Sequence, residues 1–404
     1  MRKRVIIVFV VLLVMPLVLP AMGQVTKTSV IPGNPIKIGG ALPLTGIYSE
    51  SAKWIKAGYE YWAEDVNKGG GLLGRPVKMI IYDDESSMEK AVTYYERAIT
   101  VDKVDLLFGD YPGTANVALM PLVEKYEKVF VGMGGHLKSF EQGYSYSFAS
   151  PPLMGEWSPI SLVGVVDDLI PKADLPKSIA VLTANNVMGL SARGIMIKAM
   201  EERGIQAVVD ETYNLPLSDA APLVAKAKAR GAEVLACLSF FDDTVMIMRS
   251  AKATRYNPKL IWNMFASRIP AWAKELGEDG DHVVAPAIWQ HTLPYPGNQT
   301  IIEGAKTKLG IPVPPDFFGL GYCWMYTLQL AVQGAGSLDN TKIRDCLRSH
   351  TFDLPYGRGV KFDSRGLPSP YDFALQTRGG RSEVIWPKDV AVAKIVYPKP
   401  SWSK

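Results

Sequence analysis

Short apolar runs alternate with longer stretches of helical periodicity along most of the chain. Residues 36–42 read as a strand, and residues 51–67 then place Trp54, Ile55, Gly58, Tyr59, Trp62 and Val66 at helical spacing. Gly69, Gly70 and Gly71 stop that helix. Strands at 77–82, 106–108 and 129–131 alternate with helices at 88–101 and 114–126. The pattern pauses in a Pro-, Gly- and Ser-rich stretch, 150–159, which marks a boundary between two lobes. It restarts with strands at 179–182, 207–209, 234–238 and 260–262, interleaved with helices at 189–203, 220–230 and a third running through Met248. A strand at 283–287, a loop at 293–298, helices at 316–334 and 340–349, and short strands complete the chain. Strands separated by helices of ten or more residues imply right-handed crossovers and mainly parallel sheets. The polar, charged tail 399–404 is expected to be loose.

The N-terminus has a different character. Arg2, Lys3 and Arg4 precede an apolar run from Val5 to Leu19 that Pro20 breaks, and Ala21 and Gly23 follow at the spacing of a signal-peptidase site. This layout predicts a cleaved secretory signal, residues 1–23, and a periplasmic mature chain beginning at Gln24. The run is shorter than the roughly 20 residues a membrane-spanning helix needs. Removing it takes away three positive charges and no acid, so the formal charge of +4 falls to +1 (4 − 3). No basic stripe with interleaved aromatics remains, which removes nucleic acid as a partner. The 381 residues left (404 − 23) exceed what one core usually serves, so two lobes are expected.

Candidate chemistry is sparse. Three scattered cysteines, Cys237, Cys323 and Cys346, suit neither a disulfide scaffold nor a zinc site; Cys323 and Cys346 can pair only if two late helices pack together. No G-x-S-x-G, H-E-x-x-H or phosphate-loop pattern occurs. Gly132-Met133-Gly134-Gly135 follows a strand, but Leu137 stands where a dinucleotide loop needs its third glycine. Asp83, Asp84 and Glu85 at a strand end read as a solvated turn. A secreted α/β enzyme is therefore the weaker class, no metal or cofactor is implied, and a binding module is favoured.

Several stretches resemble the leucine, isoleucine and valine binding proteins, receptors for amino acids, amides and related carboxylates. They are Gly40-Ala41-Leu42-Pro43-Leu44-Thr45-Gly46, the turn Gly69-Gly70-Gly71-Leu72-Leu73-Gly74-Arg75-Pro76, Tyr82-Asp83-Asp84-Glu85-Ser86, Leu293-Pro294-Tyr295-Pro296-Gly297-Asn298 and Leu347-Arg348-Ser349-His350-Thr351-Phe352-Asp353. The resemblance implies an α/β fold of the type I periplasmic binding protein kind: two doubly wound parallel-sheet lobes joined by three hinge crossings. One lobe would hold residues 34–153 and 288–350, the other 154–287 and 351–392. It also implies a monomeric ABC-importer receptor that docks on a membrane permease; a sensor for a signalling partner shares the same fold.

Ligands of open parallel sheets bind beyond the carboxyl ends of the strands, where helix N-termini present free N–H groups. That rule selects Tyr48, Ser51, Tyr111, Thr114, Gly134 and His136 in the first lobe, and Met188, Phe240, Phe241 and Phe265 in the second. Trp289, near a crossing, is added, as is the alternative that Thr114 only caps its helix. By the resemblance, Thr114, Gly134 and His136 hold the ligand carboxylate. Met188 stands where amino-acid receptors of the family place an aromatic residue, and Phe265-Ala266-Ser267 lacks the acid that would receive an α-ammonium. Asp242 or Asp243 is a candidate substitute, although an exposed acid at a helix start is the simpler account of both, and an aromatic or apolar carboxylate is an alternative ligand.

Overall fold

The structure, a computed structural model, describes residues 33–150, 157–369 and 372–403. The expected signal, residues 1–23, lies outside the described residues. In the first half, β1 (Ile36–Leu42), α1 (Ser49–Lys68), β2 (Val77–Asp83), α2 (Met88–Thr100), β3 (Leu106–Leu107), α3 (Gly113–Lys125) and β4 (Phe130–Gly132) follow the expected alternation. A one-turn helix, α4 (Leu137–Phe140), and β5 (Ser147–Ala149) come next. The second half runs α5 (Pro159–Gly164), β6 (Ser178–Ala184), α6 (Val187–Glu201), β7 (Gln206–Tyr213), α7 (Ala221–Ala229), β8 (Val234–Leu238), α8 (Phe241–Ala253), β9 (Leu260–Asn263), α9 (Ala271–Leu276) and β10 (Val284–Ala287). The chain closes with α10 (Asn298–Gly304), α11 (Asp316–Ala335), α12 (Asn340–Ser349), β11 (Thr351–Leu354), β12 (Gly357–Lys361), β13 (Phe373–Arg378) and β14 (Arg381–Trp386).

The first sheet has the order β2-β1-β3, with β4 and β5 pairing beside it; the second has the order β14-β13-β10-β9-β8-β6-β7. Pairing is parallel from β7 through β10, in register from Ser178 opposite Gln206, and turns antiparallel at β13 and β14. Strand β8 (VLACL) is buried throughout, as expected of a strand covered by helices on both faces. In each sheet the first strand lies between the second and the third, so the chain winds outward in both directions from it. That is the geometry of a topological switch point.

Helix α1 buries Ile55, Tyr59, Trp62 and Val66 on one stripe, each worth about 1.5–3 kcal/mol relative to exposure. Its partner is α11, and two glycines set their spacing. A Cβ on Gly58 would lie 2.3 Å from the Phe318 carbonyl oxygen, and one on Gly321 would lie 2.5 Å from that of Ile55. The late helix α11 thus completes the first half, although it comes after the second-half strands.

The described chain passes between the halves three times. Helix α5 packs on β10 and β13, so the first passage falls between 149 and 159; α10 packs its Gly304 on Tyr61, so the second falls between 287 and 298. Hairpin β11–β12 packs on α11 and α12. The third passage therefore follows residue 361, whereas the sequence had suggested a return at 351; two short apolar strands do not announce which half they join. Other expectations are corrected. Residues 159–169 and 298–309 are helical, each ending in a π-helical turn, where periodicity was too short to register. The tail is docked rather than loose: Trp402 Nε1 donates to the Tyr256 carbonyl at 2.8 Å, and Lys399 Nζ donates to Asn257 Oδ1 at 2.9 Å. Although α11 and α12 pack together, Cys323 and Cys346 are free thiols, as is Cys237.

Candidate ligand cleft

The β1–α1 loop is built by carboxylate capture. Asp83, at the end of β2, accepts from the Leu44 and Thr45 backbone N–H groups at 3.0 and 3.2 Å and from the Thr45 hydroxyl at 2.9 Å. Ser86 donates to the Thr45 carbonyl at 2.8 Å and accepts from the Tyr48 N–H at 3.3 Å. Asp83 thus holds a loop in place, and Asp84 beside it is buried, which corrects the reading of this segment as a solvated turn.

Loops 108–114 and 132–136 form a second fixed unit. Asn116 accepts from the Asp110 N–H at 2.8 Å and donates to the carbonyls of Asp110 and Met133, both at 2.9 Å. A Cβ on Gly113 would meet the Gly134 carbonyl oxygen at 2.7 Å, so only glycine permits this approach. The cap of α3 is Pro112, and Thr114 stands half-buried in the first turn, which removes the reading of Thr114 as a cap. His136 Nδ1 accepts from the Lys138 N–H at 3.2 Å and caps α4.

Across the two halves runs a ladder of aromatic rings. Phe317, in the first turn of α11, meets Tyr111 at 5.4 Å; Tyr111 meets Tyr48 at 6.1 Å; Tyr48 meets Phe240 at 5.2 Å; and Phe240 meets Phe265 at 5.4 Å. The Tyr48–Phe240 contact joins the β1–α1 loop of one half to the β8–α8 loop of the other. Ser51 is buried beside the Tyr111 hydroxyl, and burial raises both Tyr48 and Tyr111 above the ordinary phenol range, the Ser51 hydroxyl partly opposing the rise at Tyr111. Both phenols are neutral hydrogen-bond donors at physiological pH.

Two volumes are lined by residues close in sequence to ladder members. A groove of about 750 Å³ lies between Glu50, Lys53 and Trp54 of α1 and Phe241, Asp242 and Arg249 of α8. A cavity of about 300 Å³ lies between Arg268, Gln290, Asp316 and Arg381. Arg268 is buried, donates from Nη1 to the Pro286 carbonyl at 2.7 Å, sits 2.9 Å from an Asp316 carboxylate oxygen and faces the Phe317 ring at 5.6 Å.

The structure thus brings Tyr48, Ser51, Tyr111, Phe240 and Phe265 into one assembly and sets Phe241 on the adjoining groove. Gly134, His136 and Thr114 form the neighbouring loop unit. Met188 is buried in the first turn of α6, behind a cap made by Asn186. Trp289 is wholly buried elsewhere: its Nε1 donates to Asn298 Oδ1 at 2.5 Å and its ring rests against Gly319, which makes it a pillar of the second passage. Asp243 accepts from the Leu217 N–H at 3.1 Å, a structural role, whereas Asp242 lines the groove. Sequence reading missed Arg268, Asp316 and Phe317.

The arrangement offers rings, neutral hydroxyls and helix starts, a surface for binding. Among the described residues no three His, Cys, Asp or Glu side chains converge as a metal site, and no helix is long and apolar enough to cross a membrane. The profile of the periplasmic binding protein family matches residues 35–378, and the chain belongs to that family. It is 26% identical, over 84% of this chain and 89% of the relative, to the leucine-, isoleucine-, valine-, threonine- and alanine-binding protein of Pseudomonas aeruginosa. A leucine binding protein from Thermotoga maritima superposes with a TM-score of 0.76 at 18% identity, over 86% of this chain and 97% of that one. An ABC-transporter solute binding protein from R. palustris, solved in complex with benzoate, superposes with a TM-score of 0.75 at 18% identity, over 87% and 96%. These superpositions show that the chain shares their fold.

Proposed function

We propose that this chain is the extracytoplasmic solute receptor of an ABC importer, capturing a small carboxylate-bearing solute with an apolar or aromatic body and passing it to a membrane permease. The observation that carries the reading is the ring ladder, because Tyr48 and Phe240 meet only when the two halves are together. The halves act as lobes. Contacts from both exist only in the closed arrangement, so a ligand bridging them shifts the population from open to closed. The three passages absorb the rotation as hinges. The receptor works as a monomer in the periplasm after loss of residues 1–23. An aromatic wall suits both ligand types named for its relatives, branched aliphatic amino acids and benzoate.

The test is a thermal-shift panel on the mature protein with L-leucine, L-isoleucine, benzoate, small amides and dicarboxylates, followed by scattering with any binder. A ligand present at a hundred times its dissociation constant adds about 2.7 kcal/mol of stability. A rise in melting temperature with one chemical class and a smaller radius of gyration in its presence are expected. A binder that leaves the radius of gyration unchanged would sink the closure mechanism.

A further inference from the structure

Asp84 and Asp110 are buried where β2 and β3 give way to their loops, on either side of the central β1. Their carboxyl groups hydrogen-bond to each other, and among the described residues neither Oδ2 atom has another partner. Two ionised carboxylates offer acceptors only, so this contact exists with a proton in it.

Each carboxyl also holds a loop. Asp84 Oδ1 accepts from the Ser86 N–H at 2.9 Å, which fixes a turn whose Glu85 and Ser86 both stand in the left-handed region, at φ 58° and 62°. Two successive residues with side chains keep that conformation only where their surroundings impose it. Ser86 in turn supports the β1–α1 loop through the Thr45 carbonyl and the Tyr48 N–H. Asp110 Oδ1 accepts from the Tyr111 N–H at 2.6 Å, while Asn116 clamps the Asp110 N–H and carbonyl, so Asp110 sets where the chain turns into α3 with Tyr111 and Thr114. The titratable groups facing the pair are Asp83 from the end of β2, Tyr59 from α1 and Tyr95 from α2. Both phenols are buried and neutral, donating to the Gly109 and Phe108 carbonyls at 2.6 and 2.8 Å. None of the three is a cation that could stand in for the proton.

We propose that Asp84 and Asp110 are positioning residues of the solute site: the proton they share ties the turn that props Tyr48 to the loop that carries Tyr111 and Thr114, and the site is fully assembled only while that proton is held. The proposal rests on the solute-receptor reading and adds to it a dependence on pH. When the proton leaves to solvent, two carboxylates are left side by side in the interior, and their repulsion drives the two loops apart. The contact between Tyr48 and Tyr111 at 6.1 Å is lost with them. Burial raises both acids, Asp84 to about 6 and Asp110 well above the carboxylate range, the charge of Asp84 adding to the rise at Asp110. One proton therefore stays on the pair at neutral pH. The form that captures solute is complete below the upper titration of the pair and is lost as pH rises through it.

Titration calorimetry with benzoate and L-isoleucine between pH 6 and pH 9 tests the assignment on the wild-type mature protein, Asp110→Asn and Asp110→Ala. The carboxylate of either probe keeps its charge over that range, so a change in affinity reports on the protein. Wild type is expected to lose affinity towards pH 9, by up to about tenfold per pH unit once the proton has gone. Asp110→Asn keeps the oxygen that Tyr111 needs and replaces the proton with an amide donor, so it is expected to bind at pH 7 and to hold that affinity to pH 9. Asp110→Ala breaks the tie and is expected to bind about tenfold more weakly at every pH. A wild-type affinity that is flat across the range, an Asp110→Asn profile that falls in step with wild type, or an Asp110→Asn as weak as Asp110→Ala overturns the positioning role and leaves the receptor reading standing. If Asp110→Ala does not fold, the profiles of wild type and Asp110→Asn decide. Failure of the wild-type protein to bind either probe, or any carboxylate of the wider panel, removes the receptor reading and this role with it.

Discussion

Asp84 follows β2 and Asp110 follows β3, on either side of the central β1, and their carboxyl groups interact in the interior. Asp84 Oδ1 accepts from the Ser86 N–H at 2.9 Å and Asp110 Oδ1 from the Tyr111 N–H at 2.6 Å, while both Oδ2 atoms are buried without a donor. Two acceptors in that position are satisfied only by a proton held between them. Burial is the main cause that raises both groups, with neighbouring Asp83 adding to the rise at Asp84; Asp84 moves from 3.8 to about 6, and Asp110 rises further. Because the folded carboxyls bind protons more tightly than the unfolded ones, stability is greatest below the unfolded value and falls as pH rises through the folded one. Asp110→Asn replaces the shared proton with a permanent amide donor and keeps the oxygen that Tyr111 needs. We expect it to be more stable than wild type at pH 7.5 by about 1–3 kcal/mol, with the gain shrinking towards pH 4. Urea unfolding across that range measures it. Lower stability of the variant at pH 7.5, or a difference that does not change with pH, would refute the shared proton.

Three other expectations follow from contacts described above. Gly321→Val places a side chain against the Ile55 carbonyl and should cost about 3 kcal/mol or more in chemical denaturation, since backbone cannot yield as a side chain does. Trp402→Ala frees the docked tail and should cost about 1–2 kcal/mol, with proteolysis at the C-terminus as a second readout; unchanged protease resistance would mean the tail holds without its ring. Phe240→Ala removes two ring contacts, each worth about 0.5–1.5 kcal/mol; it should weaken ligand capture about tenfold, and loss of the Phe265 contact, within one half, also lowers the melting temperature of the unliganded protein.

The alternation of strands and helices was legible because each element is long enough to show its period, and because β8 and β9 are apolar on both faces. Tyr48, Tyr111, Phe240 and Phe265 were legible because each follows a strand of the parallel sheets, where position alone predicts the cleft. Arg268 was not: next to Ala266 and Ser267 it reads as an ordinary polar turn, and only the fold shows it buried against a residue 48 positions away (316 − 268). Asp316 hides behind Pro312, Pro314 and Pro315 in a stretch without periodicity. Asp84 carried the opposite error, since an acidic run at a strand end normally faces water and here one member turns inward. Trp289 shows the limit for aromatics, because a ring near a passage braces the core as readily as it lines a cleft.

The order of strands in the second sheet governs when this chain can fold. Strand β13 pairs with β10 and carries β14, yet 85 residues (288–372), including α10, α11 and α12, intervene between β10 and β13. The first half waits as well, because α1 has no cover until α11 arrives. Neither half can finish before the last fifth of the sequence is available, and such distant pairings are slow to form. A polypeptide emerging from a ribosome therefore stays incomplete until almost its full length is made, so that its two halves are completed together and not one after the other.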